Sequence, residues 1–301
     1  MSPPTLLVIG GPTASGKTRA AVKVAKHFGV PVISADSRQF YRAMRIGTAR
    51  PTEEELEGVP HHFLGHLELD ETWSAGTFAR AAEPVLQRIV RQEGMAVLVG
   101  GSGLYIDALV KGLDPLPAAD VRLREKLQHR WQSQGLPALL AELRQLDPVT
   151  ADRIDQANPH RVLRALEVCL LTGRPFSAQR SQPKDRTDMR IIRFAMDVSR
   201  AKLYAHIDAR VDRMVADGLV PEVRSLLPYR THNALRTVGY RELFMYFDGV
   251  LTLKEAIDLV KQHTRNYAKR QMTWLRRDPT WRWHDPEDID GMIQNLQDTI
   301  P

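Results

Sequence analysis

The chain has a single cysteine, Cys169, among 301 residues, so an intrachain disulfide is excluded as a source of stability. No apolar run approaches the roughly 20 residues that a membrane span needs. The opening Met1-Ser-Pro-Pro-Thr-Leu-Leu-Val-Ile-Gly lacks the basic start and long apolar stretch of a secretion signal. A cytoplasmic, non-membrane protein is the expectation. Internal repeats and low-complexity tracts are also missing. At 43% hydrophobic and 26% charged residues the composition is too apolar for a disordered chain. What is present is a modest basic excess, 42 Lys and Arg against 36 Asp and Glu, which hints at a polyanionic partner without naming one.

Thr5 to Ile9 is a short apolar run without polar alternation, as expected of a parallel strand covered on both faces. A glycine-rich turn follows, and then Gly16 to Phe28 carries Ala20, Ala21, Val24, Ala25 and Phe28 at helical spacing. Val30 to Ser34 reads as a second buried strand, Thr77 to Gln92 as a helix with a kink at Pro84, and Met95 to Val99 as a third strand. Such alternation predicts an α/β core with a mostly parallel sheet. From Asp114 to Arg190 only helices are expected, at Asp120 to Gln134, Leu136 to Leu146 and Pro159 to Thr172, with stops at Gly135, Asp147-Pro148 and Gly173. Strand character returns at Ile191 to Val198, and the rest reads as mainly helical up to Trp281. The expectation is therefore a core made of 1–113 and 191–301, with a helical part at its C-terminal end, interrupted by an all-helical insertion over 114–190. The polar stretch Arg174 to Thr187 would form its return linker.

The most specific motif is Gly11-Pro12-Thr13-Ala14-Ser15-Gly16-Lys17-Thr18, a complete G-x-x-x-x-G-K-[ST] phosphate loop between a strand and a helix. Backbone amides can curl around phosphate oxygens, the helix N-terminus adds positive potential, Lys17 reaches the outer phosphate, and Thr18 can ligate Mg²⁺. A mere tight turn would explain the glycines but not Lys17 and Thr18. The carboxylate that a nucleotide hydrolase places at the end of a buried strand is missing, because Met95 to Val99 runs into Gly100-Gly-Ser-Gly-Leu-Tyr105. The carboxylate that does follow a core strand is Asp36, in Ser34-Ala-Asp-Ser-Arg-Gln-Phe-Tyr41. Ligands of α/β proteins gather at the carboxyl ends of parallel strands, so Asp36 is a candidate general base or Mg²⁺ anchor, with an Asx turn or helix cap as the alternative. The glycines at 100–103 fit close approach to a ligand or tight helix packing. Arg210 and Arg213 lie off the apolar stripe Leu203, Ile207, Val211 and Met214, where they can clamp phosphate or sit on a solvated face. Lys261 to Arg277 carries six basic residues and no acidic one. Lys261, Arg265, Lys269 and Arg276 fall within about 80° on a helical wheel, a ridge suited to phosphate backbones, while Tyr267, Trp274 and Leu275 fall elsewhere as core contacts.

In order and over nearly the whole chain, GPTASGKT, SADSRQFY, GGSGLY, ANPHRVLRALEV, RTVGYREL and KRQMTWLR resemble the bacterial tRNA dimethylallyltransferase family. The resemblance implies a kinase-like phosphate-loop core and transfer of a dimethylallyl group from dimethylallyl diphosphate to N6 of the adenosine 3′-adjacent to the anticodon, with Mg²⁺. It implies that Gly11 to Thr18 and Arg210 hold the diphosphate, with Lys17, Thr13 and Arg210 neutralising the leaving charge, Asp36 as base and Ser102 beside it. Positions matching tRNA contacts are Asp36, Ser37, Arg38, Gln39, Ser102, Arg124, Ala157, Asn158, Pro159, His160 and Arg161. The same holds for Arg236, Thr237, Val238, Gly239, Tyr240 and Arg241, and for Lys269, Arg270, Gln271, Met272, Thr273, Trp274, Leu275 and Arg276. Ser102 stands where Thr is frequent in the family, and the hydroxyl survives. A monomer whose insertion meets the anticodon stem-loop is the expectation. Two other readings stay open, a nucleoside-kinase-type phosphotransferase and a noncatalytic RNA-binding module with a structural phosphate site.

Overall fold

Six strands form one sheet in the order β3-β2-β4-β1-β5-β6, every pairing parallel. They are β1 (Thr5–Gly10), β2 (Val32–Ser34), β3 (His61–His62), β4 (Met95–Gly100), β5 (Arg190–Met196) and β6 (Arg282–His284). The helices are α1 (Lys17–Phe28), α2 (Glu53–Leu56), α3 (Ala75–Glu93), α4 (Gly103–Val110), α5 (Val121–Gln134), α6 (Leu136–Leu146), α7 (Pro148–Arg153), α8 (Pro159–Thr172), α9 (Arg200–Ala216), α10 (Leu219–Ser225), α11 (Tyr240–Phe247), α12 (Leu253–Leu275) and α13 (Ile289–Thr299). The structure, a computed structural model, describes residues 3–181 and 184–299. Met1 and Ser2 at the start, and Gln182 and Pro183 of the return linker, lie outside the described residues.

The strands β1 and β4 are buried throughout because helices cover both faces of the sheet. Successive side chains alternate, so Leu7 and Ile9 meet Ala20 and Val24 of α1 and Met292 and Leu296 of α13. Leu6 and Val8 meet Phe78 and Leu86 of α3, Ile106 and Leu109 of α4 and Leu243 of α11. Each such burial is worth about 1.5–3 kcal/mol, which fixes the strand register. Pro84 lies inside α3 without ending it.

Residues 111–184 form a compact unit of their own. Leu127, Leu139, Leu143, Val162, Leu166 and Cys169 make its core. Asp147-Pro148, expected only to stop a helix, also starts α7. The buried Asp147 carboxylate accepts from the Thr150 amide and hydroxyl and from the Ser177 amide and hydroxyl. Burial pushes this carboxyl up, but those four hydrogen bonds outweigh it and hold it below the ordinary value of 3.8.

Residues 185–190, read as insertion, belong to the first unit. Asp185 there pairs with the buried Arg193 of β5 at 2.6 Å, and Arg186 pairs with Glu83 of α3 at 2.7 Å. The strands β3 and β6 and the helix α13 were not legible in the sequence. Two- or three-residue edge strands with part-exposed side chains carry no apolar run to read. The second strand starts at Val32, after Pro31, which has no amide to give to a ladder.

Candidate active site

Register brings the chemistry together. Gly10 of β1 is paired with both Gly100 of β4 and Ala195 of β5, and Ser34 of β2 is paired with Val99. The strands therefore end level, and the phosphate loop, Asp36 and Ser102 leave the sheet at the same edge. The loop delivers α1 through Gly16, whose φ of +83° suits glycine, and no side chain caps the helix, so its first amides remain donors for an anion. The Lys17 Nζ rests 3.4 Å from the Pro12 carbonyl oxygen. Burial pushes Lys17 down from 10.5 to about 8, while Asp36 pulls it up and Arg210 pushes it further down. Arg210 reaches in from α9 to donate to the Thr13 hydroxyl at 3.4 Å. Arg213 stays exposed, so the two arginines part company.

Of its alternatives, Asp36 forms the Asx turn. Its Oδ1 accepts from the Arg38 amide at 3.1 Å, an Asx turn, and its charge is felt by Lys17, Arg210, Tyr105 and Tyr267. The carboxylate is thus fixed by its own turn while facing the cationic loop. Ser102 accepts from the Ser37 amide at 3.2 Å and donates to the Ser37 hydroxyl at 3.3 Å, which ties the β4 loop to the residue after Asp36.

The glycines of the second motif answer to packing. A Cβ on Gly100, Gly101 or Gly103 would collide with the Ala35 carbonyl, the Gln271 amide or the Trp274 ring. Gln271, on α12, donates to the Gly101 carbonyl at 2.8 Å and accepts from the Thr13 amide at 2.9 Å, clamping the phosphate loop to the β4 loop. Both ends of its amide are used, and Leu275 and Tyr240 are buried in the core. The Tyr240 hydroxyl donates to Glu222 at 2.7 Å, and the Gly239 amide to Glu242 at 2.8 Å. The structure holds these four beneath the surface. The Arg38 guanidinium donates to the Asn233 and Ala234 carbonyls, and Gln39 to the Thr48 and Ala49 carbonyls, so both brace loops. Arg236, Arg241, Lys269, Arg270, Thr273 and Arg276 are exposed, and Thr237, Val238, Met272 and Trp274 partly so.

Within the helical unit, Ala157, His160 and Arg161 are exposed, Pro159 is partly so, and Asn158 caps α8 by accepting from the Arg161 amide. Arg124 donates through Nε to the buried Glu167 at 3.0 Å, leaving the rest of its guanidinium half exposed.

The basic ridge needs correction. Lys261 pairs with Asp212 at 2.6 Å and Arg265 with Asp208 at 2.5 Å, both acids on α9. A stretch free of acids in sequence is neutralised by the helix packed on it, and only Lys269 and Arg276 of the ridge remain exposed. The opposite face carries the site. Tyr267, Gln271 and Trp274 fall within about 60° of one another on the helix, and the Tyr267 hydroxyl feels the charge of Asp36. Burial and Asp36 push its hydroxyl up to about 12. Tyr267 is not merely a core contact. Its i, i+4, i+7 alignment with Gln271 and Trp274 was the signal available in the sequence.

A phosphate loop facing a carboxylate and a hydroxyl, with glycine where a hydrolase keeps its carboxylate, defines a phosphate-loop enzyme of group transfer. A family model described as IPP transferase matches residues 39–278. The tRNA dimethylallyltransferase 1 of Bacteroides fragilis is 42% identical over 300 residues, covering 100% of both chains. The tRNA dimethylallyltransferase of Christiangramia forsetii is 44% identical over 295 residues, covering 98% of this chain and 97% of that one. The crystal structure of the full-length tRNA isopentenylpyrophosphate transferase of Bacillus halodurans superposes with a TM-score of 0.72 at 38% identity, covering 98% of this chain and 95% of that one. The chain belongs to the tRNA dimethylallyltransferase family and is a prenyltransferase.

Proposed function

We propose that the protein transfers a dimethylallyl group from dimethylallyl diphosphate to N6 of the adenosine 3′-adjacent to the anticodon of its tRNA substrates. The observation that carries this reading is the level ending of β1, β2 and β4, which sets a cationic anion cradle against a fixed carboxylate. The diphosphate lies in the loop from Gly11 to Thr18, where Lys17 and Arg210 meet the charge that grows as the C–O bond breaks. The N6 lone pair forms the new bond to the prenyl carbon, diphosphate leaves, and Asp36 accepts the proton that N6 gives up. An exocyclic amine is a weak nucleophile, so a base at this position raises its reactivity as the bond forms. Ser102 is assigned to orient that amine. No carboxylate is required at the end of β4 because no water is aimed at a terminal phosphate.

Mg²⁺ fits these residues. Among the described residues no cluster of three or more His, Cys, Asp or Glu is placed to hold a metal. A hydroxyl such as that of Thr18 is an oxygen donor of the kind this ion takes, beside diphosphate and water. Thr18 is the residue that would hold it, and the ion would supply charge neutralisation to the leaving group. Exposed Arg236 and Arg241, with Arg124, His160 and Arg161 of the helical unit, are assigned to the tRNA, and that unit to the anticodon arm. The adenosine must leave its stack for its N6 to meet Asp36. No helix among the described residues is long and apolar enough to cross a membrane. A cytoplasmic monomer completes the reading. Incubating the protein with unmodified tRNA, Mg²⁺ and labelled dimethylallyl diphosphate tests it. Label on the tRNA adenosine is expected. Phosphorylated nucleoside from ATP, with unlabelled tRNA, would replace it with the phosphotransferase reading.

A further inference from the structure

We propose that Gln271 is a positioning residue for prenyl transfer, its amide fixing the gap between the loop that holds the leaving diphosphate and the loop on the acceptor side. The inference rests on the reaction proposed above. The pairing of β1 with β4 ends at Gly10 and Gly100, and beyond it the two loops leave the ladder. Gln271 takes up where the ladder stops, accepting from the Thr13 amide at 2.9 Å and donating to the Gly101 carbonyl at 2.8 Å. The Thr13 hydroxyl in turn accepts from Arg210, and Gly101 precedes Ser102, whose hydroxyl accepts from the amide of Ser37, the residue after Asp36. One side chain therefore joins the two halves of the reaction, the leaving-group cation on one side and the base on the other.

Gln271 lies on the buried face of α12 with Ala268 and Leu275. A polar group there costs stability unless both of its ends are bonded. The Thr13 amide only donates and the Gly101 carbonyl only accepts, so the group between them must present one acceptor and one donor at the reach of a glutamine side chain. A Cβ at Gly101 would fall 2.2 Å from the Gln271 amide nitrogen, so glycine is what lets that nitrogen approach the carbonyl. The Thr13 amide is spent on Gln271, whereas the first amides of α1 remain donors for the anion. Loss of the clamp should therefore disturb alignment more than binding.

The test compares Gln271→Met and Gln271→Glu with wild type in single-turnover transfer, with tRNA and dimethylallyl diphosphate saturating. The pH runs from about 5.5 to about 8.5, a range that covers a carboxyl raised by burial. Methionine fills the space and makes neither bond. Its rate should fall about 10- to 100-fold, the scale of reacting atoms set about 1 Å out of line, with affinities for inorganic diphosphate and for tRNA within about threefold of wild type. A protonated glutamic acid presents the same acceptor and donor as the amide, whereas its carboxylate turns a second oxygen on the Gly101 carbonyl. Gln271→Glu should therefore approach the wild-type rate at low pH, where the acid form bonds both loops, and fall to the Gln271→Met level as pH rises. Asp36, Lys17 and Arg210 charge the site in all three proteins, so each rate is read as its ratio to wild type at the same pH. A residue that only filled space would show no such rescue. A Gln271→Met rate within about twofold of wild type, or a Gln271→Glu ratio that does not change with pH, would overturn the inference alone. Unlabelled tRNA from the wild-type protein would instead remove the reaction on which it rests.

Discussion

Affinity for the prenyl diphosphate should fall through a pH range unusual for a lysine. Burial brings Lys17 from 10.5 to about 8, with Asp36 opposing that shift and Arg210 adding to it. The anion needs the ammonium form, so bound diphosphate restores the proton. Free protein carries Lys17 about nine-tenths protonated at pH 7 and about one-tenth at pH 9, so affinity should drop about tenfold over that interval, with a limiting slope of about −1 in log affinity per pH unit. The sign for stability is opposite to the usual lysine case. A lowered lysine pKa marks a charge that the ligand-free fold holds at a cost, at most about 3 kcal/mol, which is full below pH 8 and relieved as pH rises from about 8 to 10.5. Lys17→Met should therefore raise the stability of the ligand-free protein at pH 7 while weakening diphosphate binding and erasing the pH step. Calorimetric titration of dimethylallyl diphosphate into both proteins at pH 7, 8 and 9 checks this, since the ligand's own ionisation cancels in the comparison. Equal pH slopes for wild type and Lys17→Met would refute the reasoning.

Lys261→Gln with Arg265→Gln should leave the salt dependence of tRNA affinity unchanged, because Asp212 and Asp208 already neutralise both cations. Lys269→Gln with Arg276→Gln should flatten the slope of log affinity against log salt by up to about 0.7 per lost contact. Asp147→Ala should cost about 3 kcal/mol in urea unfolding of the helical unit, since the buried Thr150 and part-buried Ser177 donors lose their acceptor. The contribution of Asp147 should be present above its ordinary value of 3.8 and be lost as acid drives pH down through its lower folded value. Gly101→Ala should displace the Gln271 amide, lowering stability by about 1–3 kcal/mol and slowing transfer, as urea unfolding and rate measurement would show.

Features written in consecutive residues were legible in the sequence. The phosphate loop, its flanking strand and helix, and the helices at 136–146 and 159–172 follow from spacing alone, since apolar period and capping are local. Asp36 was legible as a strand-end carboxylate, but its Asx turn and its view of Lys17 became separable only with coordinates. What escaped depends on partners distant in the chain. Gln271 lies 170 residues from Gly101, whose carbonyl it holds, and the acids that quench Lys261 and Arg265 sit on α9. The edge strand β6 owes its conformation to pairing with β5 rather than to its own side chains.

The central claim is that Asp36 takes the proton from the acceptor amine. Asp36→Asn isolates that role, because the amide oxygen can still accept from the Arg38 amide and keep the turn, while basicity is lost. With tRNA and dimethylallyl diphosphate prebound, single-turnover transfer by this variant should be slower by about 10² to 10⁴, with tRNA affinity within a few-fold of wild type. A single-turnover rate near that of wild type would contradict the claim.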